Sequence, residues 1–199
     1  LKKDIDTDYA SDEKTFIRHY ILFLEQYVEK YKNLENTCSR LFKKGLTKED
    51  KFWSRLLNSK IALEFKNKIE GDFKYVINPG NTSTPLLNII PKKWKEIIGE
   101  EVLIQFQGNS LKFYLHHANK NSAEKLIKFS KSQIQSKKIK FKKITKRKEN
   151  SCYILETKLT DNLNDDFTLK DIFKFLVTFY ENIDNKIIKN YTTFTKYNS

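Results

Sequence analysis

The sequence predicts an α+β fold: long N-terminal helices, then an antiparallel sheet in a β-β-α-β-β-α arrangement, closed by a long C-terminal helix. Three observations lead there. Apolar residues recur at helical spacing early in the chain, the period changes to two from residue 101, and a second strongly helical pattern follows Thr168. The expected division is an N-terminal helical segment, 1–70, and an α+β domain, 71–199, packed as one unit.

Residues 1–13 are polar and acidic, and Ser11 or Asp12 is placed to cap the first helix. Phe16, Tyr20, Phe23 or Leu24, Tyr27, Tyr31 and Leu34 then mark one stripe of a helix of roughly 25 to 30 residues, against an average of about 11. Gly45 breaks the pattern. Thr47 caps a second helix, with Glu49 and Asp50 in the first turn, where negative charge suits the dipole. Phe52, Trp53, Leu56, Leu57, Ile61 and Phe65 form its apolar face. "NPGNTSTP" reads as a loop, and "PKKWKEIIGE" as a short helix between Pro91 and Gly99.

"EVLIQFQ" alternates Val102, Ile104 and Phe106; "LKFYLHH" alternates Leu111, Phe113 and Leu115; "GNS" is the tight turn between them. "SAEKLIKFSKSQIQSK" reads as a helix capped by Ser122, with Leu126, Ile127 and Ile134 facing inward. In "SKKIKFKKITKRKEN" Ile139 and Phe141 alternate with Lys138, Lys140 and Lys142, which predicts a strand. "SCYILETKL" is its partner, with "KRKEN" at the turn. "TLKDIFKFLVTFYENIDNKIIKNY" is the closing helix, capped by Thr168 with Asp171 in its first turn.

Composition narrows the functional classes. At 199 residues, 39% hydrophobic and 14% aromatic, the chain has the material for a core and is not a disordered tail. No apolar run approaches the ~20 residues of a membrane span, so no membrane partner is expected and a cytoplasmic location is. Cys38 and Cys152 stand alone, which gives neither a disulfide framework nor a zinc quartet and points to reduced, buried thiols. A start at Leu1 with no Met anywhere suggests a piece of something longer.

The formal charge of +13 points toward nucleic acid, although it comes from 34 Lys against 4 Arg, that is 38 basic residues less Arg18, Arg40, Arg55 and Arg147. Lysine favours phosphate contact over bidentate base reading. The distribution says more than the total. Lys137, Lys138, Lys140, Lys142, Lys143, Lys146, Arg147 and Lys148 crowd one predicted hairpin with no acid among them, whereas residues 161–184 carry six acids and two lysines. Such a ridge would grip a phosphate backbone without reading sequence. The plainer function of the same lysines is to guard an edge strand against aggregation.

Two Glu-x-Lys triplets fit the spacing of a Mg²⁺ nuclease, in which a strand sets carboxylate and ammonium on one face. Glu156 and Lys158 follow an apolar strand, but no Asp or Glu lies between Lys125 and Lys148 to serve as the partner acid. Glu64 and Lys66 fall in a helical pattern. His116 and His117 point to opposite faces of a strand and do not share a metal easily. No phosphate-binding glycine loop, His-Glu-x-x-His motif or nucleophile elbow is present.

The order of "FIRHYILFLEQYV", "FWSRLL", "EVLIQFQ", "LKFYLHH", "SAEKLIKFSK" and "FKFLVTFYENIDNKI" resembles the C-terminal, non-catalytic portion of prokaryotic PD-(D/E)xK-superfamily, restriction-like nucleases, over roughly residues 14–188. The resemblance implies a link to DNA processing or defence. It also implies an accessory role, because the catalytic element of that family has no complete copy here. The leading expectation is a nucleic-acid-binding accessory module acting through the 137–148 lysines and needing no cofactor. One alternative is a protein-interaction or self-association module using residues 14–42. The other is a Mg²⁺-dependent nuclease with Glu156 and Lys158.

Overall fold

The computed structural model describes residues 11–42, 46–78, 84–116, 120–134, 136, 139–143, 147–148 and 151–197, with the backbone alone at 11–14, 142–143, 147–148 and 151–152. The fold is α+β. Two long helices, α1 (Ser11–Asn36) and α2 (Lys48–Lys68), precede one antiparallel sheet, and a long helix, α5 (Leu169–Lys186), follows it. The strands are β1 (Phe73–Ile77), β2 (Leu86–Pro91), β3 (Val102–Gln107), β4 (Ser110–His116), β7 (Ser151–Lys158) and two short pieces, β5 (Lys142–Lys143) and β6 (Arg147–Lys148). Their order is β1-β2-β3-β4-β7-β5, with β6 also pairing β7. Two shorter helices complete the chain's crossings, α3 (Lys92–Ile98) and α4 (Lys120–Gln133), and α5 runs on through a π turn into α6 (Thr192–Tyr197).

Local chemistry explains the helix ends. Thr47 and Thr168 each form a capping box: the hydroxyl accepts the N–H of Asp50 or Asp171, and that carboxylate accepts the threonine N–H in return. Gly99 ends α3 at φ 83°, a left-handed conformation that glycine adopts without a Cβ clash. Ser122 is not a cap, because α4 begins two residues earlier at Lys120; its hydroxyl donates to Glu100 at 2.7 Å. The expected cap at Ser11 or Asp12 lies outside the described side chains.

Two strands, β1 and β2, were not expected from the sequence. Asn78 closes β1 with φ 47°, a conformation asparagine tolerates better than most residues. Its side chain donates to the Arg55 carbonyl at 2.9 Å and accepts the Leu86 N–H at 3.2 Å, which ties α2, β1 and β2 together.

One continuous core runs from Leu34 to Tyr191. It lies between the helices and one face of the sheet. Phe42 stacks on Phe106, Phe65 meets Phe73 edge-on, and Trp94 meets Phe113 edge-on while stacking on Tyr180. In β3 and β4 the expected Val102, Ile104, Phe106, Leu111, Phe113 and Leu115 are all buried.

The α1 stripe does not behave as the sequence suggested. Leu34 is buried and Tyr31 half-buried, but Phe16, Tyr20, Phe23, Leu24 and Tyr27 are exposed. On α2, Trp53, Leu57, Ile61 and Phe65 are buried, whereas Phe52 and Leu56 are exposed. The N-terminal half of α1 extends past the core that its C-terminal half joins.

Candidate nucleic-acid interface

Residues 139–141 do not form the expected strand. Among the described residues of 136–150, ladder pairing is confined to β5 and β6: Lys142 stands opposite Glu156 and Lys143 opposite Leu155, while Arg147 and Lys148 stand opposite Cys152 and Ser151. The physical reason lies at Lys140. Its N–H donates to the Asn162 side chain at 2.8 Å, and its carbonyl accepts the Thr157 hydroxyl at 2.9 Å, so side chains take the bonds a ladder would have used. Asn162 also donates to the Thr157 hydroxyl at 2.8 Å. Ile139 is buried, Lys140 exposed and Phe141 half-buried against Phe179. Lys137, Lys138 and Lys146 lie outside the described residues, as do the side chains of Lys142, Lys143, Arg147 and Lys148. Of the expected ridge, Lys140 alone has a described side chain.

The sheet face away from the helices carries a different set of residues. Registers align Asn88, Gln105, Lys112 and Glu156 in one row across β2, β3, β4 and β7. The next row aligns Leu103, Tyr114 and Tyr153, the last brought into line by a bulge between Phe113 and Tyr114. The polar and aromatic members of these rows are partly exposed, whereas Leu103 in the second row and Leu86 and Ile90 on the same face of β2 are buried, so the accessible part of this face lies at β4 and β7. Among the described residues, the helix-to-sheet ring contacts all fall on the other face.

The two tyrosine rings lie 5.0 Å apart, and His116 continues the line at 5.9 Å from Tyr114. The Lys112 ammonium sits 4.7 Å from the Tyr153 ring centroid. Burial lowers the Lys112 pKa, and the Glu156 carboxylate opposes that shift. Burial raises the Tyr153 pKa, with Tyr114 and Glu156 adding to it, so the phenol stays neutral and its ring stays available for stacking. The side-chain oxygens of Asn88 and Gln105 are buried without a hydrogen-bond partner, a rarity that leaves acceptor capacity unused in the polar row.

Lys158 sits exposed at the end of β7. It borders a recess of about 680 Å³ that also holds Lys51, Gln107 and Ser110, with no carboxylate among its described lining residues. Lys74 is exposed on β1, in register with Ile90 and therefore on the same face as Asn88.

The donors described around Glu156 do not fit a Mg²⁺ centre. Glu156 has a lysine as its neighbour in the row, and no group of three or more His, Cys, Asp or Glu that could hold a metal occurs among the described residues. Glu64 and Lys66 lie on α2, as their helical pattern required; Glu64 sits 3.9 Å from Lys68. His116 faces Glu101 at 3.5 Å, and His117 lies outside the described residues.

No family model, no curated protein and no solved structure matches this chain. Among the described residues no helix is long and apolar enough to cross a membrane. The site must therefore be read from its own chemistry. Lys112, Tyr114 and Tyr153 are the residues that sequence reasoning missed: each occupies the outward position of a strand whose inward positions attracted attention. The alternation of "LKFYLHH" already put Lys112 and Tyr114 at outward positions, but their meeting with Tyr153 is set by the β4–β7 register.

Proposed function

We propose that the chain is a nucleic-acid-binding module that lays a single strand along the sheet face that Tyr114 of β4 and Tyr153 of β7 line. The observation that carries this reading is the pair Tyr114 and Tyr153, partly exposed rings 5.0 Å apart with the Lys112 ammonium beside them. Stacking on aromatic rings is tolerant of base identity, because every base presents a π face, and contributes roughly 1–3 kcal/mol per base. Lysines at the margins then follow the phosphates: Lys74 at one side, and Lys158 with Lys51 at the recess. At the other edge β5 adds two lysine positions to the track, Lys142 standing in register with Glu156.

A single strand is favoured over a duplex because rings on an open sheet meet bases only when those are unstacked. The +13 charge supplies the long-range attraction, and the excess of lysine over the 4 Arg fits binding without base reading. A role beside a nuclease in a restriction or defence protein is consistent with this chemistry, with the chain supplying grip and another part supplying cleavage.

The test is anisotropy of labelled single-stranded and duplex oligonucleotides across a salt series. Single-strand binding is expected to be tighter, with a log-log slope steeper than about −2, at roughly −0.7 per phosphate engaged. No detectable binding to either would end this reading.

A further inference from the structure

Large apolar side chains are not exposed evenly on this molecule. They gather on α1 and α2: Phe16 is 71% exposed, Tyr20 54%, Phe23 50%, Tyr27 44% and Phe52 53%, with Leu24, Val28 and Leu56 beside them. At roughly 200 Å² per aromatic side chain, the group leaves on the order of 700 Å² of ring and aliphatic surface in water. The largest patch on an ordinary monomer is about 300–600 Å², and one partner of a standard interface contributes about 800 Å².

We propose that this surface pairs two copies of the chain, α1 against α1 in antiparallel fashion. Three features select a second copy as the occupant. The first is self-complementarity. Phe16 and Tyr20 project as a parallel pair 6.4 Å apart from the half of α1 that extends past the core. On the same chain, α1 and α2 enclose a groove of about 410 Å³ lined by Tyr27, Val28, Tyr31, Phe52, Trp53 and Leu56. A two-fold axis between Phe23 and Leu24 sets Phe16 opposite the partner's Tyr31 and Tyr20 opposite the partner's Tyr27, because each pair of numbers sums to 47 as 23 and 24 do. Knob and groove then meet twice, as an isologous interface requires.

The second feature is area, which matches one side of a standard dimer. The third is charge. In a chain of +13, α1 carries Asp12, Glu13, Glu25, Glu29 and Glu35 against Lys14, Arg18, Lys30 and Lys32, five acids to four bases, a net of −1. Along α1 two copies meet without the repulsion that the chain's +13 sets up elsewhere, and the charged residues lining the groove, Lys32 and Lys60 against Glu35, add a net of only +1. The pairing leaves the open sheet face free, so each dimer presents two such faces.

Sedimentation velocity on the full chain, from about 1 to about 100 μM, tests the proposal. A concentration-dependent shift from monomer to dimer is expected. The variant carrying Phe16→Glu and Phe23→Glu is expected to remain monomeric with an unchanged far-ultraviolet spectrum, since neither side chain is part of the core. A wild-type chain that stays monomeric throughout would overturn the proposal, and so would a dimer that persists in the variant. A double variant that loses its helical spectrum is replaced by Tyr20→Ser alone, which is expected to weaken the dimer at least tenfold; an unchanged dimer constant again overturns the proposal.

Discussion

The ammonium of Lys112 lies 4.7 Å from the centroid of the Tyr153 ring while its neighbour across the β4–β7 pair is Glu156. Ring and carboxylate together hold a half-buried cation that burial alone would push toward neutrality. Replacing Glu156 by Gln is expected to lower the Lys112 pKa further, because the opposing charge is lost and the burial remains. Titration of the Lys112 side-chain resonances by NMR reads this directly. A lysine with a depressed folded pKa binds fewer protons folded than unfolded, so stability rises with pH through the alkaline window beneath its ordinary value. In the Gln variant that rise is expected to begin at lower pH.

Thr168 and Asp171 make the start of α5 sensitive to acid. The Thr168 N–H and hydroxyl hold the Asp171 carboxyl below its usual range, with burial opposing. The stabilisation is present above the unfolded pKa and is lost as pH falls through the folded one. Thr168→Ala is expected to cost about 1 kcal/mol near neutral pH. The gap between wild type and variant should narrow in acid, and urea midpoints at the two extremes measure it.

Trp94 is fully buried, and its indole N–H donates to Asp184 at 2.7 Å. Asp184→Ala strands that donor and is expected to cost about 1–3 kcal/mol. Asp184→Asn keeps an acceptor and is expected to cost less. Denaturant midpoints of the two variants rank them.

Cys38 is buried and its thiol is pushed up to about 12, chiefly by burial. In a Cys152→Ser background, a thiol reagent near neutral pH is expected to label Cys38 only as fast as the protein opens, and fully in denaturant. Absorbance of the released chromophore follows the rate.

How much of this was legible in the sequence depends on which interaction set each element. Capping boxes are local, so Thr47 and Thr168 could be recognised from neighbouring residues. Strand β4 alternates cleanly, and β3 does so from Ile104 onward, because there one face is core and the other is not. Strand β2 escaped because "LLNIIP" is apolar at nearly every position, and a run buried on both sides carries no period. The exposure of Phe16 and Tyr20 was hidden for the opposite reason: periodicity shows that a helix has an apolar stripe, not what covers it. The lysine-rich stretch was found by composition, yet the backbone at Lys140 is held by Asn162 from 22 residues away. Tyr114 and Tyr153 meet only through the β4–β7 register and its bulge, a long-range relation no local pattern reveals.

The most direct measurement is single-strand affinity, at one fixed salt concentration, for wild type and for chains carrying Tyr114→Ala, Tyr153→Ala, both, or the matching Phe substitutions. Each Ala variant is expected to lose about 1 kcal/mol or more and the double variant more still, while the Phe variants bind nearly as wild type. The salt slope should stay unchanged, because the phosphate contacts remain. A double Ala variant that folds and binds as tightly as wild type would contradict the open sheet face as the binding surface.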